Sequence, residues 1–430
     1  MDGAWLAWAS LGALALVIVV SCTTRLNPGV LSIVLAALIG GWLAPMAGSP
    51  LSFKAVLGGF PSELFLTLTA VTLLFTQAEV NGTLERVAEA AVRCCRGRSV
   101  LVPVAFFVLA FVIASIGPGN IAATALLAPM AMAAAPRAGI PAFLMAVMVA
   151  HGALAGGMSP IAPTGVIAGG ILEKQLGITG LGWTLYRDNL LANVTVSLAA
   201  YAVFAARRAA AARRADPAAA APAEPPPAEP KAFEPRHWAT VAVIGVLVLA
   251  VVFLKLPVAA GAFGAAALLT VLRLADDGEA MKRMPWGVML MVCGVTVLTA
   301  LLEKTGGSDL FTDLVRRISG ERTVTGVIAF LTGLISVYSS TSGVVLPAFL
   351  PMVPGLAQKI PGADPVAIAS SIVVGGHLVD SSSLSTLGAL CVASAPPSEN
   401  RRALFNRLLG WGMAMAAAGA VVCYVFFGLL

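Results

Sequence analysis

The sequence predicts an all-α polytopic membrane protein built from two inverted-topology repeats, each with a re-entrant helical hairpin and a broken transmembrane helix. Composition is the first reason: the 430 residues are 59% hydrophobic and 11% charged, with a mean hydropathy of +0.92, whereas soluble domains carry about 25% charge. Second, residues 207–236 interrupt the apolar chain with a run rich in Ala, Pro, Arg and Glu, which reads as a flexible linker between two stretches of similar length. Third, each stretch contains a long uncharged run, 99–136 and 323–358, too long for one span and broken midway by helix-hostile residues.

In chain order, the first repeat (1–206) reads as spans at 5–21, 28–46 and 62–80, a polar amphipathic stretch at 81–98, a hairpin at 99–136, a broken helix at 141–175 and a final span at 188–206. The second (237–430) reads as spans at 238–254, 257–273 and 284–302, an amphipathic stretch at 303–322, a hairpin at 323–358, a broken helix at 364–395 and a final span at 404–428. A single offset lays Asn120 on Ser342, Pro129 on Pro351, Ser159 on Ser381 and Thr164 on Thr386, and a nearly equal one lays Glu79 on Glu303 and Gly82 on Gly306. A hairpin that enters and leaves on one side leaves each half with an odd number of crossings, so the halves are inverted. At roughly 20 apolar residues per span, the length leaves no room for a separate soluble catalytic domain.

The net charge of +6 marks cytoplasmic loops rather than a nucleic-acid surface. Most Lys and Arg residues fall inside if the N-terminus is outside, the linker cytoplasmic and the C-terminus outside; Arg316, Arg317 and Arg322 dissent. The apolar run from Trp5 to Val20 lacks a basic leader, so it reads as a retained span. Cys22, Cys94, Cys95, Cys293, Cys391 and Cys423 are scattered without a CxxC pair, which implies neither a disulfide framework nor a zinc site.

Backbone breaks at membrane depth are tolerated only where they are buried in protein or line a wet cavity. The first hairpin breaks at Gly117-Pro118-Gly119-Asn120 and the second at Ser339-Ser340-Thr341-Ser342-Gly343. The broken helices unwind between Gly156 and Gly165, through Ser159, Pro160 and Thr164, and between Asp380 and Gly388, through Ser381, Ser382, Ser383, Ser385 and Thr386. A helix that restarts after such a break presents free N–H groups to an anion, and the exposed carbonyls suit Na⁺. Among intramembrane ionisable groups, Asp380 and His377 lie one turn apart and are placed to exchange charge, His151 reads as a packing residue, and Glu79 and Glu303 fall at solvated segment ends. No Ser/His/Asp triad or HExxH occurs. Hairpins and breaks also carry no Arg or Lys, so a dianion there needs a co-bound cation, Na⁺ first and a proton on His377 second.

These residues resemble the ion transporter superfamily, within it the divalent anion/sodium symporters, and especially the malonate and dicarboxylate carrier branch. The Ser-Asn-Thr tips of that family, with Pro following, correspond to Gly119-Asn120-Ile121 with Pro129 and to Thr341-Ser342-Gly343 with Pro351; only the first Asn is retained. The run Asp380–Ala389 is similar to that branch's Asp-x-Ser-Pro-x-Ser-Thr-x-Gly-Ala, and Asn27-Pro28-Gly29 to its opening. The resemblance implies a homodimeric elevator carrier, not an enzyme, in the bacterial inner membrane, with scaffold helices in 1–98 and 237–322 and transport elements in 99–206 and 323–430. Its substrate would be a small di- or tricarboxylate, its coupling ion Na⁺ or H⁺, and its remaining partner membrane lipid. The expected substrate-binding residues are Gly119, Asn120, Ile121, Ser159, Pro160, Thr164, Thr341, Ser342, Gly343, Ser382, Ser383 and Thr386. Those expected at the ion are Ser115, Gly117, Asn120, Gly165, Ser339, Ser342, His377, Asp380, Ser381 and Ser385, with Na⁺ at the hairpin tips. A cation/proton antiporter of the same superfamily is the alternative, and it makes Asp380 indispensable.

Overall fold

Chains this apolar have one economical way to pair every backbone N–H and C=O away from water, which is the helix. The computed structural model describes residues 4–24, 26–46, 48, 51–87, 101–177, 179–212, 232–254, 256–396 and 398–429, and every regular element among them is helical. Among the described residues seven helices are long and apolar enough to cross a membrane.

In the first half these elements are α1 (Ala4–Thr23), α2 (Pro28–Met46, with a π turn at Ile39–Leu43), α3 (Phe53–Leu57) and α4 (Ser62–Val80). They are followed by α5 (Val102–Ser115), α6 (Gly119–Arg137), α7 (Ala142–Gly157), α8 (Pro163–Leu176) and α9 (Leu181–Ala212). The second half holds α10 (Pro235–Leu254), α11 (Val258–Val271), α12 (Asp277–Arg283), α13 (Trp286–Lys304) and α14 (Gly307–Ile318). It ends with α15 (Val324–Ser336), α16 (Thr341–Lys359), α17 (Pro365–Val379), α18 (Thr386–Ala393) and α19 (Arg401–Leu429).

Local chemistry sets the boundaries. Asn27 caps α2 by accepting from the Gly29 N–H at 2.9 Å, and Pro28 fills the first helical position, where a missing N–H costs nothing. Its amide donates to the Gly287 carbonyl at 2.8 Å, which ties this cap to the start of α13. Asp276 caps α12 in the same way, accepting from Glu279 N–H at 2.9 Å. α16 is the least regular element: it opens with a π turn at Thr341–Val345 and tightens to a 3₁₀ turn at Leu350–Met352. Pro347, Pro351 and Pro354 each remove a ladder N–H along it.

The packing exchanges helices between halves. α2 lies on α13 and α4 on α11, so the second span of each half meets the third span of the other. The α2–α13 crossing is close because both contact residues are Gly29 and Gly294; a Cβ on either would stand 2.2 Å from a backbone carbonyl oxygen of its partner. The hairpins follow suit: α5 packs on α7 and α15 on α17 within each half, while α8 meets α16 and α18 meets α6 across them.

Several boundaries differ from the sequence reading. The final span of the first half starts at Leu181 rather than 188 and its helix runs to Ala212, because the apolar residues Leu181 and Leu185 are buried in its first turns. The short helices α3 and α12 were not expected. The stretch 81–98 is described only as far as 87 and the linker only at its two ends, so Cys94, Cys95 and the basic residues beside them lie outside the described residues.

Candidate functional site

The tip of the first hairpin is fixed by two glycines in the left-handed region, Gly117 (φ 136°) and Gly119 (φ 80°). At Gly117 a side chain is excluded as well as strained, since a Cβ there would stand 1.8 Å from the ring of Phe75 on α4. The chain turns over that ring and starts α6 at Gly119, with Asn120 next, 5% exposed and accepting from the Ile121 N–H at 3.0 Å. α8 starts beside it, for Gly119 faces the ring of Pro163, the first residue of α8. Thr164 then shares a 2.9 Å hydrogen bond with Ser342, the second residue of α16. Three helix N-termini therefore meet: the first hairpin tip, the first break and the second hairpin tip.

They line one cavity of about 680 Å³. Its lining includes Gly117, Gly119, Asn120, Ile121, Thr164 and Ser342 from the hairpin tips and the first break, and Thr72, Phe75, Thr76 and Glu79 of α4 with Arg283 and Met289. Glu85 also reaches it. Among the described lining residues Arg283 is the one cation, and it is held by Glu279 Oε1 at 2.9 Å. Hairpins and breaks supply no cation to the described lining, but the end of α12 does. Sequence reasoning missed Arg283, Glu85, Thr72 and Thr76; the only signal for Arg283 is its place just before a span that packs against the other half.

The remaining expected site residues lie elsewhere. Ser115 bonds the Phe111 carbonyl at 2.7 Å and the Tyr186 hydroxyl at 2.9 Å, and Ser339 bonds Ser21 at 2.9 Å. Ser159 and Gly165 are internal to the first break, where a Cβ on Gly165 would stand 2.0 Å from the Ser159 carbonyl oxygen; Pro160 lies against Gly182. Gly343 lies against Met291, and Ser382 against Gly412. Ser383 and Thr386 do not line the cavity either, and Ser383 Oγ is buried without a partner in the structure.

The second break instead builds a separate polar cluster. Asp380 Oδ1 accepts from Ser336 at 3.1 Å and from Ser385 at 3.3 Å, and Thr341, bonded to Ser336, donates to the Gly376 carbonyl at 3.1 Å. This joins the second hairpin to the second broken helix through oxygens alone. The His377 ring does not take part: its Nδ1–H donates to the Val373 carbonyl at 2.9 Å, and its only bond to Asp380 among the described residues is through the backbone, where the Asp380 N–H donates to the His377 carbonyl at 3.1 Å. The carboxylate partners are the Ser336 and Ser385 hydroxyls rather than the His377 ring.

Ser381 turns to His151, donating to Nε2 at 3.2 Å, as does Trp411 Nε1–H at 2.9 Å. Asn193 spends both amide hydrogens on Asn189, so its Oδ1 accepts and His151 Nδ1 carries the proton. His151 is thus a neutral, fully bonded packing residue.

Residues 6–157, from α1 to the end of α7, match the family model described as the N-terminus of the dicarboxylate carrier protein MatC. The fold is similar to that of MtrF from Neisseria gonorrhoeae, described as illuminating a class of antimetabolite efflux pumps, with a TM-score of 0.60 at 12% identity over 97% of this chain and 98% of that one. It is also similar to the YdaH transporter of Alcanivorax borkumensis, with a TM-score of 0.56 at 16% identity over the same shares. The chain has the fold of a membrane transporter. No curated protein sequence matches it. It is an integral membrane protein, and its likenesses are to carriers and efflux pumps rather than to enzymes.

Proposed function

We propose that this transporter is a secondary active carrier of small di- or tricarboxylates, coupled to Na⁺ or H⁺. The observation that carries the reading is the convergence of three helix N-termini, with Asn120, Thr164 and Ser342, on one cavity. Free N–H groups and aligned helix dipoles favour a carboxylate at such a point without any formal charge. The family match over residues 6–157, which contains the Asn120 tip, supports a carboxylate substrate.

Charge balance supports coupling. Among the described lining residues Glu79 and Glu85 outnumber Arg283, so a dianion entering this space adds to a negative excess there. Burying an uncompensated charge is far more costly than partial dipoles return, and a cation that enters with the substrate removes that cost. Na⁺ at backbone and hydroxyl oxygens near Gly117–Asn120 and near Ser381–Thr386 is our first choice, and a proton at the Asp380 cluster the second.

The cavity is lined both by α4, α12 and α13 and by α6, α8 and α16. A site bounded by two helix sets suits an elevator, in which hairpins and broken helices move against a scaffold. We place the chain in the bacterial inner membrane as a homodimer with inverted repeats, the N- and C-termini outside and the linker cytoplasmic. The experiment is a thermal-shift panel of C3 to C6 carboxylates on the purified protein, with and without Na⁺. A ligand at 100 times its Kd adds about 2.7 kcal/mol to apparent stability. Stabilisation by dicarboxylates that grows with Na⁺ supports the reading, and a flat panel removes carboxylates as substrates.

A further inference from the structure

α14 follows the end of α13, at the boundary of an apolar span, and its two faces differ in character. Gly307, Thr312 and Val315 are buried against the protein. Leu310, Leu314 and Ile318, spaced four residues apart, form a neighbouring apolar stripe. It is left uncovered towards its end, where Leu314 is 37% and Ile318 65% exposed. Arg317 flanks the stripe three residues after Leu314, Arg316 projects from the other side of the same last turn, and Arg322 follows in the next turn; all three are exposed.

The acids nearest to these arginines in the chain, Asp309, Asp313 and Glu321, are otherwise engaged. Lys359 at the end of α16 takes Asp309 at 3.0 Å and Asp313 at 3.2 Å, and also donates to the Asp309 carbonyl at 3.1 Å. The Glu321 carboxylate lies against Gly362. Among the described residues none of the three arginines has an ion-pair partner.

We propose that the C-terminal end of α14, with Arg322, is a docking surface for the headgroups of anionic phospholipids in the surrounding bilayer. Unpaired guanidinium groups clustered at the end of the helix where an apolar stripe is exposed are what an interfacial helix presents: the leucine and isoleucine side chains enter the acyl boundary, and the arginines around them reach phosphodiester oxygens in a bidentate fork. A soluble anion would use the arginines but has no need of Leu314 and Ile318 at the surface. This surface is separate from the cavity and does not depend on what the protein carries.

The test uses the full chain purified in neutral detergent, titrated with phosphatidylglycerol and, separately, with phosphatidylcholine, and bound lipid counted by native mass spectrometry. Each arginine at an anionic surface is worth about fivefold in binding, so R316Q/R317Q/R322Q should hold phosphatidylglycerol at least tenfold more weakly than wild type. R316K/R317K/R322K should keep most of the binding, and R273Q/R402Q/R407Q, with the same charge change elsewhere, should bind as wild type does. Wild-type binding should fall steeply between 0.1 and 0.5 M salt. Equal retention of phosphatidylglycerol by the Gln variant, equal loss in the R273Q/R402Q/R407Q control, equal binding of phosphatidylcholine, or binding indifferent to salt each overturns the proposal. Displacement of the lipid by millimolar inorganic phosphate overturns the lipid assignment.

Discussion

The Thr164–Ser342 bond joins the start of α8 to the start of α16 across the two halves, and both residues line the cavity while almost wholly buried. Thr164→Val keeps the shape and removes one hydroxyl; Ser342→Ala removes the other. If the two oxygens serve only each other, each single change costs a neutral hydrogen bond, about 0.5–1.5 kcal/mol of stability, and leaves ligand affinity alone. If they turn to a bound carboxylate, each change removes a hydrogen bond to a charged group, worth about 1.5–3 kcal/mol, or roughly 10- to 150-fold in Kd. Isothermal titration with the best-stabilising dicarboxylate, together with thermal unfolding of the same variants, separates the two cases. We expect both single variants to bind at least tenfold more weakly, and the double variant to fall short of their summed effect because the residues are coupled. Affinities within twofold of wild type, with lowered stability, refute the assignment of these hydroxyls to substrate.

Other changes reach different parts of the site. Asn120→Ala removes a side chain whose recorded bond is to the neighbouring Ile121 N–H, so the protein should unfold as wild type does while dicarboxylate binding, measured by the same titration, weakens about 10- to 150-fold. Arg283→Gln deletes the one cation among the described cavity-lining residues; dicarboxylate affinity should fall more than that of a matched monocarboxylate, and an equal fall would place Arg283 outside the recognition step. Gly117→Ala must fit a Cβ 1.8 Å from the Phe75 ring at φ 136°. Strain at such a position alone costs about 1–3 kcal/mol, so folded yield by size-exclusion fluorescence should drop sharply, and a wild-type yield would mean that the tip relaxes freely.

How much of this was legible in the sequence depends on the range of the signal. The interruptions at Gly117–Asn120, Ser339–Gly343, Gly156–Gly165 and Asp380–Gly388 were legible because proline and glycine act on the backbone where they stand. Which interruptions meet was not: the offset that lays Thr164 on Thr386 says nothing of Thr164 touching Ser342. Arg283 was illegible for the same reason, since it reaches the first hairpin tip only through the packing of one half on the other. The Asp380 run looked like one site in sequence, yet its hydroxyls divide, with Ser385 on Asp380 and Ser381 on His151. Residues one apart on a turn face different neighbours, and a linear motif does not carry that information.

The central claim is cation-coupled carriage of a carboxylate through the cavity where the three helix N-termini meet. It is tested most directly by uptake of a radiolabelled C4 dicarboxylate into proteoliposomes at fixed pH, with and without an inward Na⁺ gradient. Uptake should rise steeply with external Na⁺, persist when the proton gradient is collapsed, and be lost in Asn120→Ala. Uptake indifferent to Na⁺ but driven by an inward proton gradient would move coupling to the Asp380 cluster, and no dicarboxylate movement under either gradient would contradict the account.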